Sequence, residues 1–144
     1  MSIDNEWIVL DTNIWIFGLR NQADRPACSR LLQHLNQLHV KTPFQILLEL
    51  QANLDPEEMK RFFRLVDLDP DRIGLCWERA ESNLIEKYQK LGCKLGDAAI
   101  AAHLERMGLG TLVSENRDFI EEISGLPFRV LRAEEALREL GQLS

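Results

Sequence analysis

Apolar and polar positions alternate along this chain in two periods. The apolar run Trp7–Leu10 reads as a buried strand, and His39–Thr42 and Thr111–Ser114 read as short strands. Phe128–Leu131 and the "DRIGL" segment read as two more. Between them the period lengthens to that of helices. The spacing predicts a short helix over Asn13–Leu19. A second starts at Asp24-Arg25-Pro26 and carries Cys28, Leu31, Leu32, Leu35 and Leu38 on one face. Pro43 opens an apolar helix, "PFQILLELQANL", and Asp55-Pro56-Glu57-Glu58 opens another through Met59, Phe62, Phe63 and Val66. Further helices are expected over Trp77–Leu91, Gly96–Met107, Asn116–Glu122 and Ala133–Leu140.

Strands that alternate with helices predict an α/β fold with a mostly parallel sheet. In such sheets a ligand site lies beyond the carboxyl ends of the strands, at a topological switch point. Polar groups cluster in the sequence at those ends. Asp11 follows the first strand, and Glu115, Asn116 and Asp118 follow "TLV". A shared acidic crevice along one sheet edge is expected.

Each acid has a structural reading too. Asp11 is a good N-cap for the helix after it. Glu49 sits in a polar stripe with Gln45 and Asn53, which taken alone favours a solvated face. Asp97 shares a face with Ala101 and Leu104, and both it and Asp118 stand in first helical turns that favour acids. Asn116 suits a cap, and Thr12 and Ser114 suit ordinary turn chemistry. Taken together, converging carboxylates repel one another unless a cation is present. A hard ion such as Mg²⁺ takes oxygen ligands and keeps several waters, so few carboxylates suffice.

The length of 144 residues predicts one domain over 1–144, and composition is that of a globular protein, 45% hydrophobic and 28% charged. No apolar run approaches a membrane span. The acids in "MSIDNEW" argue against a secretory signal, and Cys28, Cys76 and Cys93 read as reduced packing thiols. A cytoplasmic protein is expected. The net charge of −6 counts against a nonspecific nucleic-acid binder unless cations reverse the sign locally. Lys60, Arg61 and Arg64, and Lys87, Lys90 and Lys94, read first as solvated faces and second as seats for an RNA backbone. Phe62 and Phe63 suggest packing on two sides of one helix, or a partner surface. His34, His39 and His103 are scattered and read as structural or surface residues.

"VLDTNIWI", Glu49 in its apolar helix, "LGDAAIAAHL" and "TLVSENRDF" together resemble the PIN-domain family, which includes the VapC-type toxin ribonucleases. The motifs span residues 7 to about 132 in the family's order. The resemblance implies a three-layer α/β/α fold around a parallel five-stranded sheet. It implies an endoribonuclease with an acidic Mg²⁺ or Mn²⁺ site, leaving a 5′-phosphate and a 3′-hydroxyl. By position, Asp11, Glu49, Asp97 and Asp118 are the candidate carboxylates, for catalysis and for metal. Thr12 would be a supporting hydroxyl, and Ser114, Glu115, Asn116 and Arg117 lie around it. Many members carry an acid where this chain has Asn116; Glu115 is an adjacent substitute, and Arg117 a phosphate-holding group. The implied partners are RNA, an antitoxin protein and a second copy in a homodimer. The rival from another class is a non-catalytic interaction module on the same fold. A phosphatase or receiver domain ranks below both, because Asn13 stands where an aspartate-nucleophile phosphatase needs its second acid.

Overall fold

The computed structural model describes residues 3–116, 119–120 and 123–141. Five strands form one sheet in the order β3-β2-β1-β4-β5, where β1 is Trp7–Leu10, β2 His39–Thr42, β3 Ile73–Leu75, β4 Thr111–Val113 and β5 Arg129–Leu131. Every pairing is parallel, with Trp7 opposite His39 and Val9 opposite Leu112. The chain steps outward from β1 to β3, then returns to the other side of β1 at β4. The reversal therefore falls between β1 and β4, and that is where a crevice opens.

The described helices are α1 Thr12–Leu19, α2 Pro26–Gln33, α3 Phe44–Asn53, α4 Pro56–Leu68, α5 Ser82–Lys90, α6 Leu95–Met107 and α7 Ala133–Glu139. Right-handed crossovers send β1-to-β3 connections over one face and the β3-to-β4 connection over the other. Accordingly α1 packs on α2, α3 and α4, and α2 on α7, while α5 packs on α6. The result is the expected three-layer fold.

The core follows the apolar stripes. Fully buried Trp15 of α1 meets Phe62 of α4 edge-on, with ring centroids 4.9 Å apart. Phe62 is inside and Phe63 half out, at 38% exposed, so the pair does not pack on two sides equally. Gly18 sits where α1 crosses α2: a Cβ there would stand 2.4 Å from Leu32 Cδ1. No described helix is long and apolar enough to cross a membrane.

Two helices are shorter than their periodicity. α2 ends at Gln33, because His34 leaves helical geometry at φ −109°; a 3-10 turn, Leu35–Gln37, follows, and Leu35 and Leu38 stay buried. Its N-cap is Arg25 rather than Asp24, whose carboxylate accepts from Gln22 instead. The helix expected over Trp77–Leu91 begins only at Ser82. α5 is held against α6, with Glu81 at its start paired to Arg106 near the end of α6. α6 stops at Gly108, in the left-handed conformation at φ 65°, and the residues before Ser82 run as a loop beside Arg106 and Met107 at its end. Trp77 is left 62% exposed. The helix expected over Asn116–Glu122 lies largely outside the described residues.

Candidate metal centre

Asp11 occupies the point where β1 becomes α1. Its N–H donates to the Val113 carbonyl at 2.9 Å, continuing the β1–β4 ladder by one rung. Its backbone is extended, its side chain caps α1, and Oδ1 accepts from the Thr12 N–H at 2.8 Å. The cap and site readings are thus compatible. The other oxygen, Oδ2, accepts from the Ser114 hydroxyl at 2.7 Å. Asp11 is 3% exposed, an unusual position for a carboxylate.

Glu49 comes from α3. The Thr12 hydroxyl donates to its Oε1 at 2.6 Å and the Gln45 amide to its Oε2 at 2.9 Å. The polar stripe seen in the sequence therefore faces the crevice: Glu49 and Asn53 both line it. Asp97 is the third residue of α6, whose N-cap is Lys94. Its Oδ1 accepts from the Asn116 amide at 3.2 Å.

Asp11, Glu49, Asp97, Thr12, Asn13 and Asn116 line one open crevice of about 240 Å³. Ser114 is its buried hub. Besides donating to Asp11, its oxygen accepts from the Asn116 N–H at 2.9 Å. Asn13 braces the same loop, accepting from the Glu115 N–H at 3.1 Å. Glu115 does not line the crevice. Its Oε2 is buried with no hydrogen-bond partner among the described residues, and its charge acts on Cys28 of α2. That thiol is pushed up to about 12, chiefly by burial. Asp118 and Arg117 lie outside the described residues.

Burial pushes the Asp11 carboxyl up to about 6, against the lowering effect of its Ser114 and Thr12 hydrogen bonds; Glu49 and Asp97 add to the rise by repulsion. Among the described residues no three acidic, imidazole or thiol groups stand close enough to clasp an ion as they are. The donor set nonetheless suits a hard divalent cation, since the ligand atoms that carboxylates, amides and hydroxyls possess are oxygens. Positive charge there offsets the repulsion that raises Asp11.

Sequence reasoning missed three contributors. Gln45 fixes Glu49, and its signal was the i−4 spacing on the same stripe. Asn13 braces the loop after β4, and it was legible only as the last letter of "DTN". Asn53 joins the crevice wall and also donates to the Glu49 carbonyl at 2.7 Å.

The basic clusters are largely engaged. Lys60 pairs with Glu57, Arg61 donates to the Leu19 carbonyl, and Lys87 pairs with Glu105.

Among solved structures, this chain is similar to VapBC2 from Rickettsia felis bound to a DNA fragment from their promoter, with a TM-score of 0.57 and 17% identity. The alignment covers 88% of this chain and 98% of that one. It is similar also to FitAcB from Neisseria gonorrhoeae, with a TM-score of 0.59 and 16% identity over 88% of this chain and 98% of that one. Both likenesses are likenesses of fold. No curated protein sequence matches. The PIN-domain family model matches residues 8–124, which take in Asp11, Glu49, Asp97 and Asn116. On that match, over most of its length, the chain belongs to the PIN-domain family.

Proposed function

We propose that this chain is a metal-dependent endoribonuclease, the toxin half of a toxin–antitoxin pair. One observation carries the reading: three carboxylates from distant elements, Asp11, Glu49 and Asp97, face one crevice at the switch point of the sheet. Membership of the PIN family supports nuclease chemistry, and the toxin reading draws on the motifs' resemblance to the VapC-type ribonucleases and on the fold shared with VapBC2 and FitAcB. Asp11 and Asp97, with Asp118 by family position, would hold Mg²⁺ or Mn²⁺. Glu49 would complete the set or accept the proton of the attacking water. When bound, the cation lowers the pKa of a water and neutralises phosphate charge. Thr12 and Gln45 fix the Glu49 carboxylate, Ser114 fixes Asp11, and Asn116 is the neutral neighbour of Asp97. Attack in line on phosphorus would leave a 5′-phosphate. An antitoxin protein, a second copy in a homodimer and a cytoplasmic location complete the reading.

Purified protein incubated with single-stranded RNA should cleave it in Mn²⁺ or Mg²⁺ and stop with chelator. Asp97→Asn should lower cleavage at least a hundredfold. Cleavage that survives the chelator, or that Asp97→Asn leaves intact, sinks the mechanism.

The second reading, a non-catalytic interaction module, draws on Asn116 in place of an acid and on the net charge of −6. Such a module should gain no thermal stability from Mn²⁺, whereas a working site is stabilised by mass action.

A further inference from the structure

Beside the acidic crevice lies a second cavity of about 300 Å³. Its walls are Phe44 and Leu48 of α3 and Leu95 of α6. Leu48 is 41% and Leu95 63% exposed, which is costly for side chains with no task at a surface. The Arg79 guanidinium stands over the Phe44 ring, 5.7 Å from its centroid. At the inner wall is His103 of α6, only 7% exposed, whose Nε2 has no hydrogen-bond partner among the described residues. A buried, unsatisfied ring nitrogen is expensive unless something meets it. Burial, and then the charge of Lys41, hold His103 below its ordinary value, so the ring is neutral at pH 7 and accepts at one nitrogen.

Two contacts set the wall of the cavity against that of the crevice. Gln45 lines the cavity while donating to Glu49. Leu95 is followed by Gly96, where an added Cβ would stand 2.8 Å from Glu49 Oε2. A single side-chain contact, Gln45 to Glu49, therefore separates the cavity from the acids.

We infer that the Phe44–Leu48–Leu95–Arg79–His103 cavity is a nucleobase subsite, which takes one unstacked base of the single-stranded RNA whose phosphate lies in the crevice. This rests on the ribonuclease reading. The chemistry matches the occupant. An aromatic ring and a guanidinium plane stack on a base face whatever its sequence. The Gln45 amide and the Glu78 carboxylate in its lining offer polar atoms to the base edge. Arg79 supplies positive charge beside an otherwise acidic site.

The test uses fluorescence anisotropy of short single-stranded RNAs in Ca²⁺, each with an abasic ribose at one position. Wild-type protein should lose about tenfold in affinity for one abasic position and little at the others. Arg79→Ala and His103→Leu, each checked for folding by thermal melt, should bind intact and abasic RNA alike. Arg79 lies on an exposed loop, so that variant keeps the test sound if His103→Leu fails to fold. Discrimination that persists in Arg79→Ala overturns the proposal, as does failure of every oligonucleotide to bind. A variant that loses self-association while keeping discrimination shows that a second copy covers the cavity, and overturns it also. RNA bound with a one-position preference but never cleaved in Mn²⁺ would sink the hydrolase reading and leave the subsite standing.

Discussion

At the scale of the residue, Asp11 shows how one side chain serves two purposes at a cost. It caps α1 and faces two other acids from an almost dry position. Asparagine caps as well as aspartate and carries no charge. In metal-free protein at neutral pH, Asp11→Asn should therefore raise stability by about 1–3 kcal/mol, the scale of a two-unit pKa displacement. The same variant should lose the stabilisation that Mn²⁺ gives the parent. Paired thermal melts with chelator and with Mn²⁺ check both halves. The sequence showed Asp11 at a strand end but could not show Ser114 beneath it. That contact joins residues 103 apart in sequence, and nothing local encodes it.

At the scale of the element, α4 and α6 make opposite cases. α4 is specified locally. Asp55 Oδ1 accepts from the Glu58 N–H at 2.8 Å, and Glu58 Oε1 accepts from the Asp55 N–H at 2.9 Å. This capping box was legible as Asp55-Pro56-Glu57-Glu58, and Asp55→Ala should cost about 1 kcal/mol in urea denaturation. Arg20 adds a contact from α1 that was not legible. Chiefly through its hydrogen bond from Arg20, Glu58 is held at about 2, below its ordinary 4.5. A depressed carboxylate binds its proton more readily in the unfolded chain, so its contribution is whole above pH 4.5 and fades as pH falls toward 2. Glu58→Gln should flatten the acid limb of the stability curve within that window.

In α6 the informative residue is Gly96. Alanine there is the better helix former, worth up to about 1 kcal/mol. Its Cβ would nevertheless displace the Glu49 carboxylate from its place beside Thr12 and Gln45. Gly96→Ala should keep or raise the melting temperature and lower metal-dependent cleavage about ten- to hundredfold. Equal losses of both would count against the placement of Glu49. α5 was over-read for a related reason. Trp77 fits the helical period of Leu84 and Tyr88, but period alone does not say where the partner helix ends.

At the scale of the whole molecule, alternation of strands and helices was enough to foretell a parallel sheet, because a parallel connection needs a crossover. Strand order was not contained in that pattern. The resemblance implied five parallel strands between helical layers, and the order β3-β2-β1-β4-β5 is shown by the structure alone. The net charge of −6 has its own consequence. A basic nuclease loses affinity steeply with salt as counterions are released. Here few phosphates are neutralised by the protein itself. The slope of log affinity against log salt should be shallow, about −1 to −3, for single-stranded RNA in constant Mn²⁺. Anisotropy between 50 and 200 mM salt, on the order of the range where such slopes are read, measures it. A slope near −6 would reveal a basic track that the composition hides.

The pairing of β1 with β4 sets a condition in time. Val9 meets Leu112 across most of the chain, and Asp11 has no Ser114 until that pairing is made. Contacts of such sequence separation form late and slowly. During synthesis, a growing chain that already holds Asp11, Glu49 and Asp97 still lacks the strand that seats them. On the proposed ribonuclease reading, a ribosome making this protein would be shielded from it until β4 has emerged and paired. Any nuclease that acts on RNA in its own cell benefits from a topology in which competence arrives last.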